Sequence, residues 1–275
     1  MDHVKPADVA AMMIDTARRK LALSPADLVV RGALAGAILA SATSLAVTGA
    51  LQTGVPLVGA LIFPVGLCII VLLGLDLVTG SFGLLPLPLL KREFSGQNLL
   101  TSWFYTFTGN LLGSMIYGAL LAIALTNFGA TAPSGVGAQI VAVAQAKTTG
   151  YAALGFAGMV TVFVKAMLCN WMVCLAIVMT MTSASTIGKI AAAWMPMLIF
   201  FGQGFEHSVV NMFVIPTGIL LGAKASVAQW WLWNQISVTL GNLVGGFLFT
   251  GLTLYLTHKP KAPGPLAART AVPAE

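Results

Sequence analysis

Apolar runs long enough to cross a bilayer recur six times in this chain, at about residues 28–51, 57–90, 99–126, 151–182, 190–223 and 230–257. A helical crossing of a hydrocarbon core about 30 Å thick needs roughly 20 apolar residues. An ordinary soluble domain draws roughly a quarter of its residues from Asp, Glu, Lys and Arg. Here the share is 8% and the mean hydropathy is +0.92, so a single soluble core is excluded and an all-α integral membrane protein with six spans is expected. Only the two ends look water-soluble. Residues 1–27 scatter Asp2, Lys5, Asp8, Asp15, Arg18, Arg19 and Lys20 among Ala and Met. That pattern is no cleavable leader; it predicts an amphipathic helix lying on the cytoplasmic membrane surface. Residues 28–257 are expected to form a single six-span membrane domain. Residues 258–275 are rich in Pro and Ala, carry Lys259, Lys261 and Arg269, and are expected to be a disordered cytoplasmic tail.

The formal charge of +6 does not indicate a nucleic-acid partner, because the cations sit at the ends and beside the spans with no basic face for a duplex. Their distribution is a topology signal. The N-terminal segment together with Arg31 at the start of span one, the Lys91-Arg92 loop, Lys189 and the tail hold eleven Lys and Arg, whereas the opposite loops hold Lys147 and Lys224. Positive charge stays inside, so both termini are expected in the cytoplasm, in agreement with an even number of spans. Cys68, Cys169 and Cys174 lie within apolar runs without metal or disulfide spacing. They read as small buried hydrophobes, and neither metal nor cofactor is expected.

Spans two and five are about 34 residues long, beyond the roughly 25 that a tilted straight helix uses. Both must be interrupted. The expected break in span two is Asp76–Gly83, followed by Pro86 and Pro88; in span five it is Gly202–His207, followed by Asn211 and Pro216. Irregular backbone at bilayer depth survives only where protein or a water-filled cavity satisfies its amides, so both breaks should face a pathway. An internal repeat supports this. Gly109-Asn110-Leu111-Leu112-Gly113 recurs as Gly241-Asn242-Leu243-Val244-Gly245, with an acid, Asp76 or Glu206, in the broken span before each. Three spans separate the copies, and an odd number inverts the second one. The expectation is a 3+3 inverted repeat, about 28–127 and 150–257, with a binding site near the midplane. Helix packing alone would explain the glycines but not the matched acids.

Ionisable groups inside a span cost about 2.5–3.5 kcal/mol each on insertion scales and usually line a pathway. Asp76, Lys165, Glu206 and His207 are such groups. His207 is singled out because imidazole changes charge near neutral pH and because it stands in a Gly-rich break; a lone core histidine is the bland alternative. Adjacent residues point apart on a helix, so Glu206 reads as a supporting partner. Thr79 supplies a hydroxyl, either to the pathway or back to its own turn. Half-helix N-termini at the midplane favour a small anion. Phe63, Leu67, Leu77 and Phe200 lie around the breaks and would pinch the path; taken singly they are core residues.

Three blocks resemble the formate/nitrite transporter family. Leu73–Gly80 is similar to its first signature, an acid-Leu-x-Thr segment in the loop interrupting helix two. Lys165–Ala176 is similar to the second, around Cys169-Asn170-Trp171. Gly204–Phe213 resembles the block holding a central histidine in broken helix five. Many members carry Glu where this chain has Asp76 and a small residue where it has Leu75. The resemblance implies an aquaporin-like fold, without the Asn-Pro-Ala motifs of true aquaporins, assembled as a homopentamer in a bacterial inner membrane with one pore per protomer. It implies Thr79 and His207 as the central polar pair, Leu67 and Leu77 as the cytoplasmic constriction, and Phe63, Phe200 and Val173 as the periplasmic one. Asp76, Lys165, Asn170, Glu206 and Asn211 would supply electrostatics or support. Formate is the first substrate on the run from Phe205 to Pro216; nitrite or hydrosulfide is the alternative. An enzyme is not expected, because Ser208 cannot face His207 on a regular helix and no His-Glu-x-x-His is present.

Overall fold

The computed structural model describes residues 3–258, so the expected disordered tail lies outside the described residues. These residues are helical, apart from loops and an isolated bridge between His3 and Ser183. The helices are α1 (Pro6–Leu21), α2 (Pro25–Thr53), α3 (Pro56–Leu72), α4 (Val78–Leu90), α5 (Gly96–Thr126), α6 (Val136–Lys147), α7 (Gly155–Thr180), α8 (Thr186–Gly202), α9 (Ser208–Leu220) and α10 (Val227–Thr257). Of these, α2, α5, α7 and α10, at 26 to 31 residues, are long and apolar enough to cross a membrane. The pairs α3/α4 and α8/α9 fill the two over-long runs, each pair meeting at a non-helical break.

Local chemistry sets the starts. Ser24 accepts the Asp27 N–H at 3.1 Å ahead of Pro25, Ser95 and Asn98 form a capping box on α5, and Ser226 and Gln229 form one on α10. Such caps satisfy amides that the first helical turn leaves without partners.

The break in the second half falls where the sequence put it, between Gly202 and Ser208. The other is displaced: it covers residues 73–77, and Val78 already begins α4. One device makes both. Gly74 and Gly204 each take φ +65°, a conformation costly for residues with a Cβ. The next amide then bonds back, Leu75 to the Ile70 carbonyl at 2.9 Å and Phe205 to the Phe200 carbonyl at 3.2 Å. Thr79 therefore stands in the first turn of a half-helix, not in a loop.

The repeated glycines let backbones touch. A Cβ on Gly113 would lie 1.8 Å from the Ala33 carbonyl oxygen, and one on Gly245 would lie 2.0 Å from that of Met167. Hence α5 packs against α2, and α10 against α7, at the closest approach two helices allow. The polar stretch after Thr126, read as a link, contains α6; Pro133, Ser134 and Gly135 masked it. Its buried Ile140 and Ala144 meet Gly218 of α9.

The placement of α1 differs from the expectation. Val9, Met13, Ile14, Ala17 and Leu21 pack against Leu84, Leu85, Leu87, Leu99, Val178 and Met181, so its apolar face meets protein rather than lipid. Val4 adds a bond from its N–H to the Thr182 carbonyl at 2.8 Å. The Arg18 guanidinium grips both oxygens of Glu93, at 2.7 and 2.6 Å, and holds that carboxyl below the usual carboxylate range. A depressed carboxyl stabilises the docked helix above its undocked pKa, near 4.3, and loses that effect as pH falls through the docked value. Hydrogen-exchange protection over α1, taken relative to the intrinsic rate at each pH, should therefore fall as pH drops below the ordinary carboxylate range, while Glu93→Gln should lose protection already at neutral pH. The long helices should be unaffected.

Candidate functional site

Each break exposes an amide and a carbonyl that no helix partner can reach, and an asparagine from a neighbouring long helix takes both. Asn110 of α5 accepts the Val78 N–H at 2.9 Å and donates to the Asp76 and Gly32 carbonyls, each at 2.9 Å. Asn242 of α10 accepts the Ser208 N–H at 2.8 Å and donates to the Glu206 and Ala166 carbonyls at 2.9 and 2.8 Å. Both side chains are fully buried. The repeated asparagines thus staple the first amide of a half-helix to the carbonyl two residues upstream and to the long helix alongside.

The acids are paired in parallel fashion. Lys20 of α1 makes an ion pair with buried Asp76, and Lys147 of α6 reaches Glu206 at 2.6 Å. Each lysine lies at the end of the helix that precedes the first long helix of its half. Glu206 also accepts Tyr151 Oη at 2.8 Å and Asn211 Nδ2 at 2.8 Å. Asn234 links the group, accepting from Asn211 at 2.8 Å and donating to the Lys147 carbonyl at 3.1 Å. A buried carboxylate needs this many donors to offset its desolvation.

His207 is the N-cap of α9. Its Nδ1 accepts the Val210 N–H at 3.2 Å, a bond that assigns the proton of the neutral ring to Nε2. Its ring stacks on Phe200 with centroids 5.7 Å apart. In the opposing half-helix, the Thr79 carbonyl accepts Asn170 Nδ2 at 3.0 Å and Cys174 Sγ at 3.3 Å. Asn170 continues to the Asn242 carbonyl at 2.6 Å, tying the two staples together. Thr79 Oγ1 and His207 Nε2 are both buried and make no hydrogen bond among the described residues. Buried polar groups are almost always paired; five other buried side-chain atoms, on Trp103, Ser114, Asn170, Asn211 and Thr217, are likewise without a partner among the described residues.

A cavity of about 610 Å³ runs from the α6 side down to His207 and Phe200, with Lys147, Lys165, Tyr151 and Glu206 on its wall. Phe63, Leu67, Leu77, Val173 and Phe200 all belong to one buried apolar cluster, and Phe63 meets Phe200 edge-on at 5.6 Å. Of these five, Phe200 lines the cavity and the other four do not. Asn170 and Asn211 serve as hydrogen-bond supports. Lys20, Lys147, Tyr151 and Asn234 escaped the sequence reading. The lysines had been counted as topology charges, and the signal that would have found them is a lysine at a matched place ahead of each break acid.

A family model described as formate/nitrite transporter matches residues 7–256. A probable formate transporter from Methanothermobacter thermautotrophicus is 38% identical over 268 residues, covering 92% of this chain and 96% of that protein. The formate channel FocA of Escherichia coli strain K12 is 28% identical, covering 94% and 95%. Among solved structures, an FNT family ion channel superposes with a TM-score of 0.78 at 30% identity, over 91% of this chain and 98% of that one. A pentameric formate channel with formate bound does so at 0.68 and 26% identity, over 85% and 97%.

Breaking a buried ion pair by removing one partner typically costs about 3–5 kcal/mol, whereas removing both is often near neutral. Lys147→Met should therefore lower the thermal midpoint in detergent, and Lys147→Met with Glu206→Gln should recover most of that loss. Additive losses in this cycle would contradict the pairing.

Proposed function

This chain belongs to the formate/nitrite transporter family, whose members are channels and transporters, and on that footing we propose that it passes a small monovalent anion, formate first, through a pore in each protomer. One observation carries the reading. Of the seven buried side-chain polar atoms without partners among the described residues, Thr79 Oγ1 and His207 Nε2 stand at the starts of two half-helices that touch each other within an apolar cluster.

An anion stripped of water in an apolar collar meets a large desolvation penalty. At the centre, the Nε2–H of His207 and the hydroxyl of Thr79 donate to it, and the half-helix N-termini add positive potential. If the ring first takes up a second proton at Nδ1 from the water-filled side, releasing the Val210 N–H, the imidazolium can pass its Nε2 proton to the anion and return to the neutral form, so that a weak acid leaves as the neutral molecule and crosses the next collar more easily. Leu67 and Leu77 form the cytoplasmic collar in this reading, and Phe63, Phe200 and Val173 the outer one. Asp76, Glu206, Asn170 and Asn211 hold the half-helices in place, and Lys165 adds positive charge to the cavity.

The proposed topology is six spans in two inverted triads. The paired staples at Asn110 and Asn242 and the paired turns at Gly74 and Gly204 support it. The Lys and Arg bias puts α1 and both termini in the cytoplasm of a bacterial inner membrane, so that the cavity opens outward. Homopentameric assembly is proposed from the solved pentameric relative, with large exposed side chains such as Phe104, Ile116 and Leu120 of α5 available to lipid or a neighbouring copy. Formate is preferred because the named relatives are formate proteins. Nitrite is the second reading, which the Lys165–Ala176 block around Cys169-Asn170-Trp171 suits equally.

A hydrogen bond to a charged group contributes about 1.5–3 kcal/mol, so losing one should slow passage by roughly tenfold or more. Formate-driven swelling of proteoliposomes should fall by that factor for His207→Ala and for Thr79→Val, and His207→Ala should lose its pH dependence. A wild-type rate with a wild-type pH profile in His207→Ala would refute the mechanism. Running nitrite and hydrosulfide alongside ranks the substrates.

A further inference from the structure

The cavity on the α6 side contains three charged side chains, Lys147, Glu206 and Lys165. The first two cancel at 2.6 Å. Lys165 makes no ion pair among the described residues. Its position needs explaining, because it lies on α7 well inside the span, where an ammonium without a counter-ion is costly. A buried carboxylate is moreover beside it: the Glu206 N–H bonds to the carbonyl of Lys165 itself at 3.4 Å. Two groups of opposite charge that close in a low-dielectric cavity attract strongly, yet they do not meet.

Tyr151 stands where they would. It is carried on the short helical turn Thr149–Ala153 between α6 and α7 and is 8% exposed. Its hydroxyl donates to Glu206 Oε1 at 2.8 Å, while Lys147 takes Oε2. The face of the same ring is 6.0 Å from Lys165 Nζ, within the range where a ring quadrupole attracts a cation. One residue thus fills the carboxylate oxygen left by Lys147 and offers Lys165 a weak, uncharged resting place.

We propose that Tyr151 is a positioning residue that withholds Glu206 from Lys165 and so keeps the Lys165 ammonium facing the cavity, where it draws a small monovalent anion toward His207. The proposal rests on the anion-pathway reading and deepens it. The neutral Lys147–Glu206 pair leaves the cavity with one net positive charge, and Tyr151 decides where that charge points. If the phenol is removed, Lys165 swings onto Glu206 Oε1 and the charge is spent on protein instead of substrate.

Two readouts test this. The first is the initial rate of formate uptake by proteoliposomes at roughly 10 and 300 mM salt, since attraction by a cavity charge fades with screening. Lys165→Gln should lower the low-salt rate about tenfold and flatten the salt dependence; Lys165→Arg should retain both. Tyr151→Phe keeps the ring but loses the hydroxyl, and should behave like Lys165→Gln. Added to Lys165→Gln it should change nothing further. Equal losses from Tyr151→Phe in both backgrounds would mean that it merely braces Glu206, and would overturn the proposal, as would a wild-type salt dependence in either single variant. The second readout does not depend on transport: a structure of the full-length Tyr151→Phe protein should show Lys165 Nζ within ion-pair distance of Glu206. An unmoved ammonium overturns the proposal. If wild-type vesicles take up no formate, the anion-pathway reading fails, and the Tyr151→Phe structure alone decides the placement of Lys165.

Discussion

An amide or carbonyl without a hydrogen-bond partner costs several kcal/mol in hydrocarbon, and two helices of this protein stop where that penalty is highest. The fold depends on how the ends are satisfied. Asn110 and Asn242 each join an N–H and a C=O across a break and anchor them to a long helix. An asparagine suits the task because one planar amide presents an acceptor and two donors at once. The close helix contacts follow from the same need. Gly113 and Gly245, three residues after each asparagine, bring the stapling helix near enough for a short side chain to bridge.

Once the backbone is secured, the breaks become places where charge can be held. Asp76 and Glu206 each face a lysine from the end of a helix that precedes a long one, so α1 and α6 hold matching places despite their different surroundings. The pairing also explains why α1 meets protein. Its lysine is committed to a buried acid, its apolar face to Leu84, Leu85 and Leu87, and Arg18 to Glu93. The two halves differ at their breaks: one half-helix begins beside Thr79 and the other beside His207.

Much of this could be read from the sequence because the bilayer imposes a few strict rules. Span length, apolar composition and the excess length of two runs follow from a fixed hydrocarbon thickness, and the family resemblance follows from three short blocks. The acids at Asp76 and Glu206 and the repeated Gly-Asn-x-x-Gly segments stood out because polar groups are rare where water is absent. The start of α4 was misplaced, since Asp76–Gly83 contains several residues that favour turns, and only the capping bond from Asn110 fixes Val78 as the first helical position. Likewise α6 was hidden, because Pro133, Ser134 and Gly135 resemble a linker and its stability comes from packing on Gly218, far away in sequence.

The sequence alone determined the class of protein, the existence of two interrupted spans and the identity of the unusual residues within them, because those follow from local composition under a membrane constraint. Tertiary structure decided the partners. That Lys20 belongs to Asp76, that Lys147 and Tyr151 belong to Glu206, and that Lys165 is left to face a cavity depends on contacts between residues far apart along the chain. Such contacts leave no periodic or compositional trace, because a lysine that neutralises a buried acid and one that marks a membrane boundary are the same letter until the backbone brings one of them to a carboxylate.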